Sequence, residues 1–418
     1  MQKYDLAVVG GGFAGVSAAL AAAREGAKVI IIEKANCLGG ATTNCFVTPF
    51  MPYNTKINEK IINLSTGILD DIIKKLKEKN AYDNRRFIDE DLKLILNEML
   101  TDAGVDILFH SYLFKVKKEK GNIKSISIAT VNGVIDIKAD YYIDATGDAQ
   151  VAYLAKCPTL LGREKDNLCQ PMTLCFRVGN VDVEKFMKDL PALQQAYAKS
   201  LANNEFINPR ENILVFRTLL PNVLHFNTTR VIKKDPTSVK DLTDAEIIAR
   251  KQVFEVYEFM KKHTTSFNDT YLITASEIGI RESRKIVGDY ILTESDCRSF
   301  TKFEDGISAC NYDIDIHNPE GSGTSHFFFP LGEYYTIPYR CLIPKKLNNL
   351  LVAGRCISSD HGAQASYRII PTVSSIGEAA GTAIGLIIKS GLSVRDVPIT
   401  ALKEKLIQNG MFIGQKTE

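Results

Sequence analysis

LAVVGGGFAGVSAALAAAREGAKVIIIEK, residues 6–34, decides the fold. Leu6, Ala7, Val8 and Val9 form a continuous apolar run, the mark of a strand buried on both faces. Gly10-x-Gly12-x-x-Gly15 follows, then a small-residue helix from Val16 to Arg24, then a second strand from Lys28 to Glu33. Each part has a mechanical role. Gly10 allows the tight turn, Gly12 lets the backbone approach a pyrophosphate, and Gly15 lets helix and strand pack closely. The helix N-terminus then offers unpaired N–H groups and a partial positive charge to phosphates. Glu33, followed by Lys34, ends the second strand, and its carboxylate can accept hydrogen bonds from an adenosine ribose. Glycine turns also occur without ligands, but the strand–helix–strand–acid context makes that bland reading a poor one. The fingerprint alone does not separate NAD from FAD.

The bulk numbers bound the rest. At 418 residues the chain is long for a single core, so two packed units, or one with a large insertion, are expected. Lys+Arg of 51 against Asp+Glu of 49 leaves a formal charge of +2, which argues for neither a nucleic-acid nor a membrane partner. No apolar run approaches the roughly 20 residues of a spanning helix. MQKYDLAVVGGG enters a strand at once, so no signal peptide is expected. The nine cysteines are scattered and odd in number, with no C-x-x-C pair, which reads as reduced thiols and a cytoplasmic protein.

Along the chain, Ile61, Ile62, Ile68, Leu69, Ile72, Ile73 and Leu76, then Leu92, Leu96, Met99 and Leu100, predict helices across 56–103. Residues 105–143 turn to short strands with breaks at Lys120-Gly121-Asn122 and Asn132-Gly133. NNLLVAG, 348–354, predicts another buried strand, leading to a glycine- and alanine-rich helix from about Pro371 to Lys389. The expected organisation is α/β. Residues 1–55, 101–170 and 345–418 form a discontinuous nucleotide domain, 56–100 a helical insertion, and 171–344 a substrate or capping domain.

Three further blocks separate the cofactors. Gly39-Gly40-Ala41-Thr42 follows the second strand, Asp144-Ala145-Thr146-Gly147-Asp148 ends a later one, and AGRCISSDHGAQASYR (353–368) follows the last. In this arrangement the chain resembles the FAD-dependent oxidoreductases of the glutathione-reductase-like superfamily. More narrowly, it is similar to the family known simply as FAD-dependent oxidoreductases, distantly related to fumarate reductase and succinate dehydrogenase flavoproteins. The narrower match rests on residues 10–34, YYIDATGDA, QPMTLCFRVGNVD (170–182), GIRESRKIVGDYILTESD (279–296) and residues 348–385. The segments 55–100 and 183–270 are the least recognisable. The resemblance implies a Rossmann-type FAD domain, with a parallel central sheet plus a β-meander, and an inserted α+β substrate domain. It implies FAD contacts from Gly10, Gly12, Phe13, Ala14, Gly15, Glu33, Lys34, Gly39, Gly40, Ala41, Thr42, Ala145, Thr146, Gly147, Gly354, Arg355, Pro371 and Thr372.

Departures from better-known relatives matter. Flavin disulfide reductases carry C-x-x-x-x-C after this Gly-Gly, but here the segment is GGATTNCF, and Cys37 and Cys45 are expected to be unrelated thiols. A second Gly-x-Gly-x-x-Gly unit for NAD(P)H is missing, so an external electron donor or acceptor is implied. Succinate dehydrogenase-type relatives attach FAD through an early histidine; the first histidine here is His110, so non-covalent FAD is expected.

In this fold the C-terminal glycine-rich helix is expected to point its N-terminus at the flavin, and Gly377, Gly381 and Gly385 to serve close packing alone. Arg281 and Arg284 suit fork-like binding of a carboxylate or phosphate, against the alternative of bracing Glu277, Glu282 or Asp289. His361 and Arg368 sit in what reads as a loop carried to the flavin face. His361 can trade a proton near neutrality, or merely cap a carbonyl. His317, His326, Tyr334 and Tyr335 line either a substrate pocket or a tightly packed loop, and no metal site is expected.

The leading expectation is hydride transfer between flavin N5 and a small polar or anionic organic substrate. Arg281, Arg284 and Arg368 would orient it, and His361 would serve as acid or base. A monooxygenase or oxidase, a tRNA-modifying flavoprotein and a non-redox hydratase or isomerase are the alternatives, and assembly into a homo-oligomer is left open.

Overall fold

The structure is a computed structural model describing residues 3–414. Strand β1 (Lys3–Val9), helix α1 (Phe13–Arg24) and strand β2 (Val29–Ile32) form the expected opening unit, with β1 and β2 parallel from Leu6 opposite Val29 to Val9 opposite Ile32. Strand β3 (Asp106–Leu108) adds on the outside of β2. Next come β4 (Tyr112–Glu119), β5 (Asn122–Thr130) and the long β6 (Gly133–Asp144).

Strand β6 has two jobs. Residues 133–137 pair antiparallel with β5 and close the meander with β4, while residues 138–144 run parallel to β1. The last strand, β7 (Leu350–Val352), joins parallel to the end of β6. Leu6–Val9 of β1, Tyr141–Ile143 of β6 and Leu350–Val352 of β7 are apolar and buried, as an internal parallel sheet requires. The C-terminal ends of β1, β6 and β7 therefore lie side by side. Gly10, Ala145 and Ala353 follow them, at the edge where parallel sheets bind ligands.

After β7 come α2 (His361–Tyr367) and α3 (Ile370–Ile387). Helix α3 lies on α1 with almost no side-chain spacer. A Cβ on Gly377 or Gly381 would sit 2.1 Å from the carbonyl oxygen of Ala14 or Ala18. Even one added methyl there forces backbone apart, which in a close-packed core costs about 1–3 kcal/mol. Among the described residues α3 is the one helix long and apolar enough to cross a membrane, and 83% of it is buried inside the protein as its core helix.

A separate apolar core lies in the middle of the chain. Strands Val215–Arg217, Leu224–Phe226, Phe176–Gly179 and Tyr271–Ala275 form an antiparallel sheet in that order. Helices Val183–Ala202 and Val239–His263 pack on it, and Phe176, Phe186, Phe226 and Phe267 stack within its core.

Two readings change. The expected helical span 56–103 opens with a hairpin, Asn54–Ile57 with Lys60–Asn63, before helices Ile68–Glu78 and Asp89–Asp102. The turn decides it: Asn58 and Glu59 have φ of 48° and 64°, the doubly left-handed form that closes two-residue hairpins. Ile61, counted into the helical stripe, is 75% exposed. The second change is at 361–367, expected as loop: Asp360 caps it by accepting from the Ala363 N–H at 2.7 Å, and it folds as α2.

Candidate active site

The dinucleotide side is made mostly of backbone. Gly10 has φ of +104° and lies so close to β6 that a Cβ would sit 2.4 Å from the Ala145 carbonyl oxygen. A Cβ on Gly15 would sit 1.8 Å from the Gly10 carbonyl oxygen, so neither position admits a side chain. Gly12 caps α1 with no side chain on its first N–H groups and pairs with Gly39, while Gly40 crosses it closely enough that a Cβ would meet the Gly12 Cα at 2.8 Å. Phe13, Ala14, Ala145 and Thr42 are buried around this crossing, and Ala41 is half-buried.

Glu33, 7% exposed, accepts from the Gly11 N–H at 2.5 Å and the Ala35 N–H at 2.8 Å, which aims its carboxylate along the loop. Thr146 Oγ1 donates to Asp144 at 2.7 Å and shapes the turn after β6. Arg355 lies against Gly147 and donates to Asp148 at 2.8 Å. Burial works to raise the Asp148 carboxyl, but Arg355, Ser283 and the exposed Lys34 outweigh it and hold it below the ordinary range. Gly354 takes φ of +95° beside Ala14, and Pro371 and Thr372 occupy the first turn of α3, which has no side-chain cap.

These residues fit FAD. The uncapped start of α1 suits a diphosphate and the buried Glu33 a ribose. Beside the glycine crossing, the buried Thr42 Oγ1 and Arg355 Nε have no hydrogen-bond partner within the protein. Buried polar atoms left unpaired are costly, which suits a polar ligand at that place.

A second cluster is made of side chains gathered from distant segments. Glu282, fully buried, stands at its centre: its Oε2 lies 2.8 Å from His361 Nδ1 and accepts from the Gln170 N–H at 3.0 Å. Lys285 Nζ, also buried, donates to the other carboxylate oxygen. Burial opposes ionisation of Glu282, but His361 and Lys285 together hold its carboxyl below the ordinary range. His361 itself opens α2, its Nε2 buried without a partner.

Gln170 ties this group to the arginines. Its Oε1 accepts from Arg368 Nη2 and from the His317 N–H, both at 3.3 Å, and its Nε2 donates to Gln364 Oε1 at 3.2 Å. Gln364 in turn donates to the Arg281 carbonyl at 2.8 Å. Arg281 Nη1 donates to the Pro171 carbonyl and to Thr173 Oγ1 at 2.7 and 2.5 Å. Burial first, then Arg368, Arg210 and Arg230, pull the Arg281 guanidinium down to about 9. Asp315 is held below its ordinary range by His317, Arg368 and Arg281, against burial. Burial and Arg281 push His317 well below the histidine range, so its neutral ring bridges Asp315 Oδ2, 3.3 Å from Nε2, and Arg230 Nη2, 3.1 Å from Nδ1.

The structure thus brings Arg281, Arg368, His361 and His317 together. The guanidinium of Arg284 lies 4.2 Å from the centre of the Tyr153 ring, with its Nη1 buried and without a partner in the protein. His326 lies at the margin, stacked on Phe328, while Tyr335 is buried with its hydroxyl on Ser366 at 2.9 Å and Tyr334 packs on Phe412. Cys37 contacts Asn44 and Cys45 the Ile278 carbonyl, and both are free thiols. Glu282, weighed only as a brace for an arginine, partners His361 instead. Sequence reasoning missed Arg210, Arg230 and Gln170. An arginine inside TTRVI, an otherwise strand-like run, was the available signal for Arg230.

Comparison with known proteins agrees with this geometry. The FAD dependent oxidoreductase family matches residues 5–406, and the chain belongs to that family. It is an oxidoreductase, and its cofactor is FAD. No curated protein matches it. Among solved structures it is similar to a geranylgeranyl bacteriochlorophyll reductase-like protein from Thermoplasma acidophilum, with 15% identity over 98% of this chain and 84% of that one, at a TM-score of 0.45. The flavin-dependent brominase Bmp2 shares 13% identity over 96% of this chain and 83% of its own, at 0.49. A p-nitrophenol 4-monooxygenase from Pseudomonas putida DLL-E4 shares 12% over 99% and 94%, at 0.46. Likenesses this loose carry no argument about the reaction.

Proposed function

We propose that this enzyme oxidises or reduces a small carboxylate-bearing organic molecule, held by Arg281 and Arg368 and given or relieved of a proton by His361. The observation that carries it is the gathering of Arg281, Arg368 and His361 from separate segments around Gln170 and Glu282. FAD, when bound, would supply the two-electron redox chemistry, a hydride passing between flavin N5 and a substrate carbon. Gly10, Gly12, Gly15, Gly39, Gly40, Glu33, Thr42, Ala145, Thr146, Gly147, Gly354, Arg355, Pro371 and Thr372 would hold it, with Phe13, Ala14, Lys34 and Ala41 beside them. With no early histidine, the attachment is non-covalent.

Arg281 and Arg368 are planar forks with unused N–H groups, suited to bidentate carboxylate binding. Their charge also stabilises negative charge that develops next to the reacting carbon. His361 carries the proton, and Glu282 fixes its ring, as a buried acid does for a catalytic histidine elsewhere. Lys285 keeps Glu282 ionised. The cycle closes through an external electron donor or acceptor. The two-way pairing of β6 and the separate core at 172–278 support a Rossmann-type FAD unit of the glutathione-reductase-like kind, built from 1–55, 101–170 and 345–418, with 171–344 as the substrate domain.

Anaerobic mixing with carboxylic acids tests the reading. Flavin bleaching or reoxidation by at least one acid is expected; reaction with neutral compounds alone would sink it.

A further inference from the structure

We propose that the helix Val239–His263 is the seat of a symmetric homodimer, the same helix of a second copy lying antiparallel on its outer face and crossing it at Phe254. One face of this 25-residue helix packs into the middle core through Ala245, Ala249, Val253, Val256 and Met260. On the opposite face Ile247 is 53% and Phe254 54% exposed. They are seven residues apart, about two turns, so they form one seam along the helix. Apolar residues scattered singly over a surface need no partner, but a seam on a long helix suits one. The exposed Ile207 widens the seam, because its N–H donates to Glu255 Oε1 at 3.0 Å, one residue beyond Phe254.

The charges around the seam decide what covers it. Arg250 and Lys251 precede Phe254 by four and three residues and Glu258 follows it by four, so all three share its face, and all are exposed. Arg250 makes only a 3.5 Å contact with Glu246, whose other oxygen already accepts from the Ile278 N–H at 2.7 Å. Among the described residues neither Lys251 nor Glu258 has an ion-pair partner. A face of one sign would suit a partner of the other sign; this face carries both, in an order that complements itself. A two-fold axis through Phe254 sets every residue opposite the one equally far beyond Phe254 on the second copy. Phe254 then packs on Phe254, Ile247 lies along the stem of Lys261 of the second copy, and Glu258 meets Arg250 with Lys251 beside it. The pairing occurs twice, once on each side of the axis. Moving the axis midway between Ile247 and Phe254 would set Arg250 against Lys251, like charge on like, so the charges select the Phe254 crossing. From Phe254 to the helix end at His263 is nine residues, so the antiparallel overlap spans residues 245–263, about 28 Å of helix. Such a contact belongs to the low end of specific interfaces, about 1,000–1,200 Å², and makes a reversible dimer.

The test is analytical ultracentrifugation of the FAD-loaded enzyme over a concentration series. Wild type should sediment as a dimer that dissociates on dilution. Phe254→Glu should weaken association at least about tenfold, the scale of a central aromatic contact, with flavin content and melting temperature unchanged. Glu258→Arg should also weaken it, and adding Arg250→Glu and Lys251→Glu to that variant should restore it. Because Phe254 lies on the axis, Phe254→Cys should form a disulfide-linked dimer on mild oxidation, whereas Thr243→Cys, eleven residues from the axis, should not. The native thiols are buried or half-buried and do not compete. A wild type that stays monomeric at every concentration would overturn the proposal, as would a dimer that survives Phe254→Glu. Failure of the charge reversal to restore association would overturn the crossing at Phe254.

Discussion

The two halves of the site are built from different material. The FAD side is backbone: glycine carbonyls and amides at 10–15 and 39–40, with contacts so close that a Cβ will not fit at Gly10, Gly15 or Gly40. The proposed substrate side is side chains: Gln170, Arg281, Glu282, His361 and Arg368, arriving from three segments of the chain. A backbone site tolerates exchange of the side chains around it and fails when a Cβ is added. A side-chain site does the reverse. The comparison therefore predicts which mutations separate cofactor binding from chemistry.

The largest effect is expected from Gly15→Val. With a Cβ 1.8 Å from the Gly10 carbonyl oxygen, the loop must move off the strand end. The purified protein should lose its flavin absorption bands at least about tenfold relative to wild type, since the diphosphate seat depends on that backbone. Full flavin content in this variant would break the comparison on its first side.

Glu282→Gln comes next and probes the other side. Flavin content should be retained, while kcat falls about tenfold to hundredfold, the usual scale of general acid–base catalysis. The pH–rate profile should also be displaced, because the charge facing His361 is gone. An unmoved profile would reduce Glu282 to a structural brace.

A smaller effect concerns stability where α3 meets the rest of the backbone scaffold. Glu378, 1% exposed on α3, accepts from the Ile68 N–H at 2.8 Å, and burial raises its carboxyl from 4.5 to about 8, against that hydrogen bond and Arg24. The folded protein then keeps a proton that the unfolded chain has lost across this window. Stability from this group is complete below about 4.5 and is lost as pH rises through about 8. Melting temperature measured between these pH values should fall for wild type and fall less for Glu378→Gln, which can accept the same bond without ionising.

Least affected should be Arg284→Gln. Its half-buried guanidinium stacks on Tyr153, and such a cation–π contact contributes on the order of 1 kcal/mol. Carboxylate affinity and kcat/KM should match wild type. A loss above about tenfold would return Arg284 to the site.

The same contrast explains what could be read without coordinates. Gly-x-Gly-x-x-Gly, Glu33 and the strand endings at Asp144 and Val352 are local patterns, because a backbone site needs specific residue types at fixed spacing along one segment. The meander turns at 120–122 and 132–133 were legible for the same reason. The arginine cluster has no local signature. Arg281 and Arg284 are three residues apart and looked equivalent, yet one points into the site and the other onto Tyr153, which only the packing of the strand Arg284–Ile286 settles. Arg230 and Gln170 likewise join the cluster only through packing, Arg230 by its contact with His317 and Gln170 by its contacts with Arg368 and Gln364. The 54–63 hairpin was hidden because a two-residue turn with left-handed Asn58 and Glu59 interrupts what reads as a helical stripe.

The account's central claim is that a backbone-built FAD seat faces an arginine-built anion seat, and titration of FAD-loaded wild type and Arg281→Gln with carboxylic acids tests it most directly. Both proteins should show the same flavin content. Wild type should show a saturable change in flavin absorption, and Arg281→Gln should weaken it about tenfold to hundredfold. An unchanged affinity in Arg281→Gln, or perturbation by neutral compounds only, would contradict the claim.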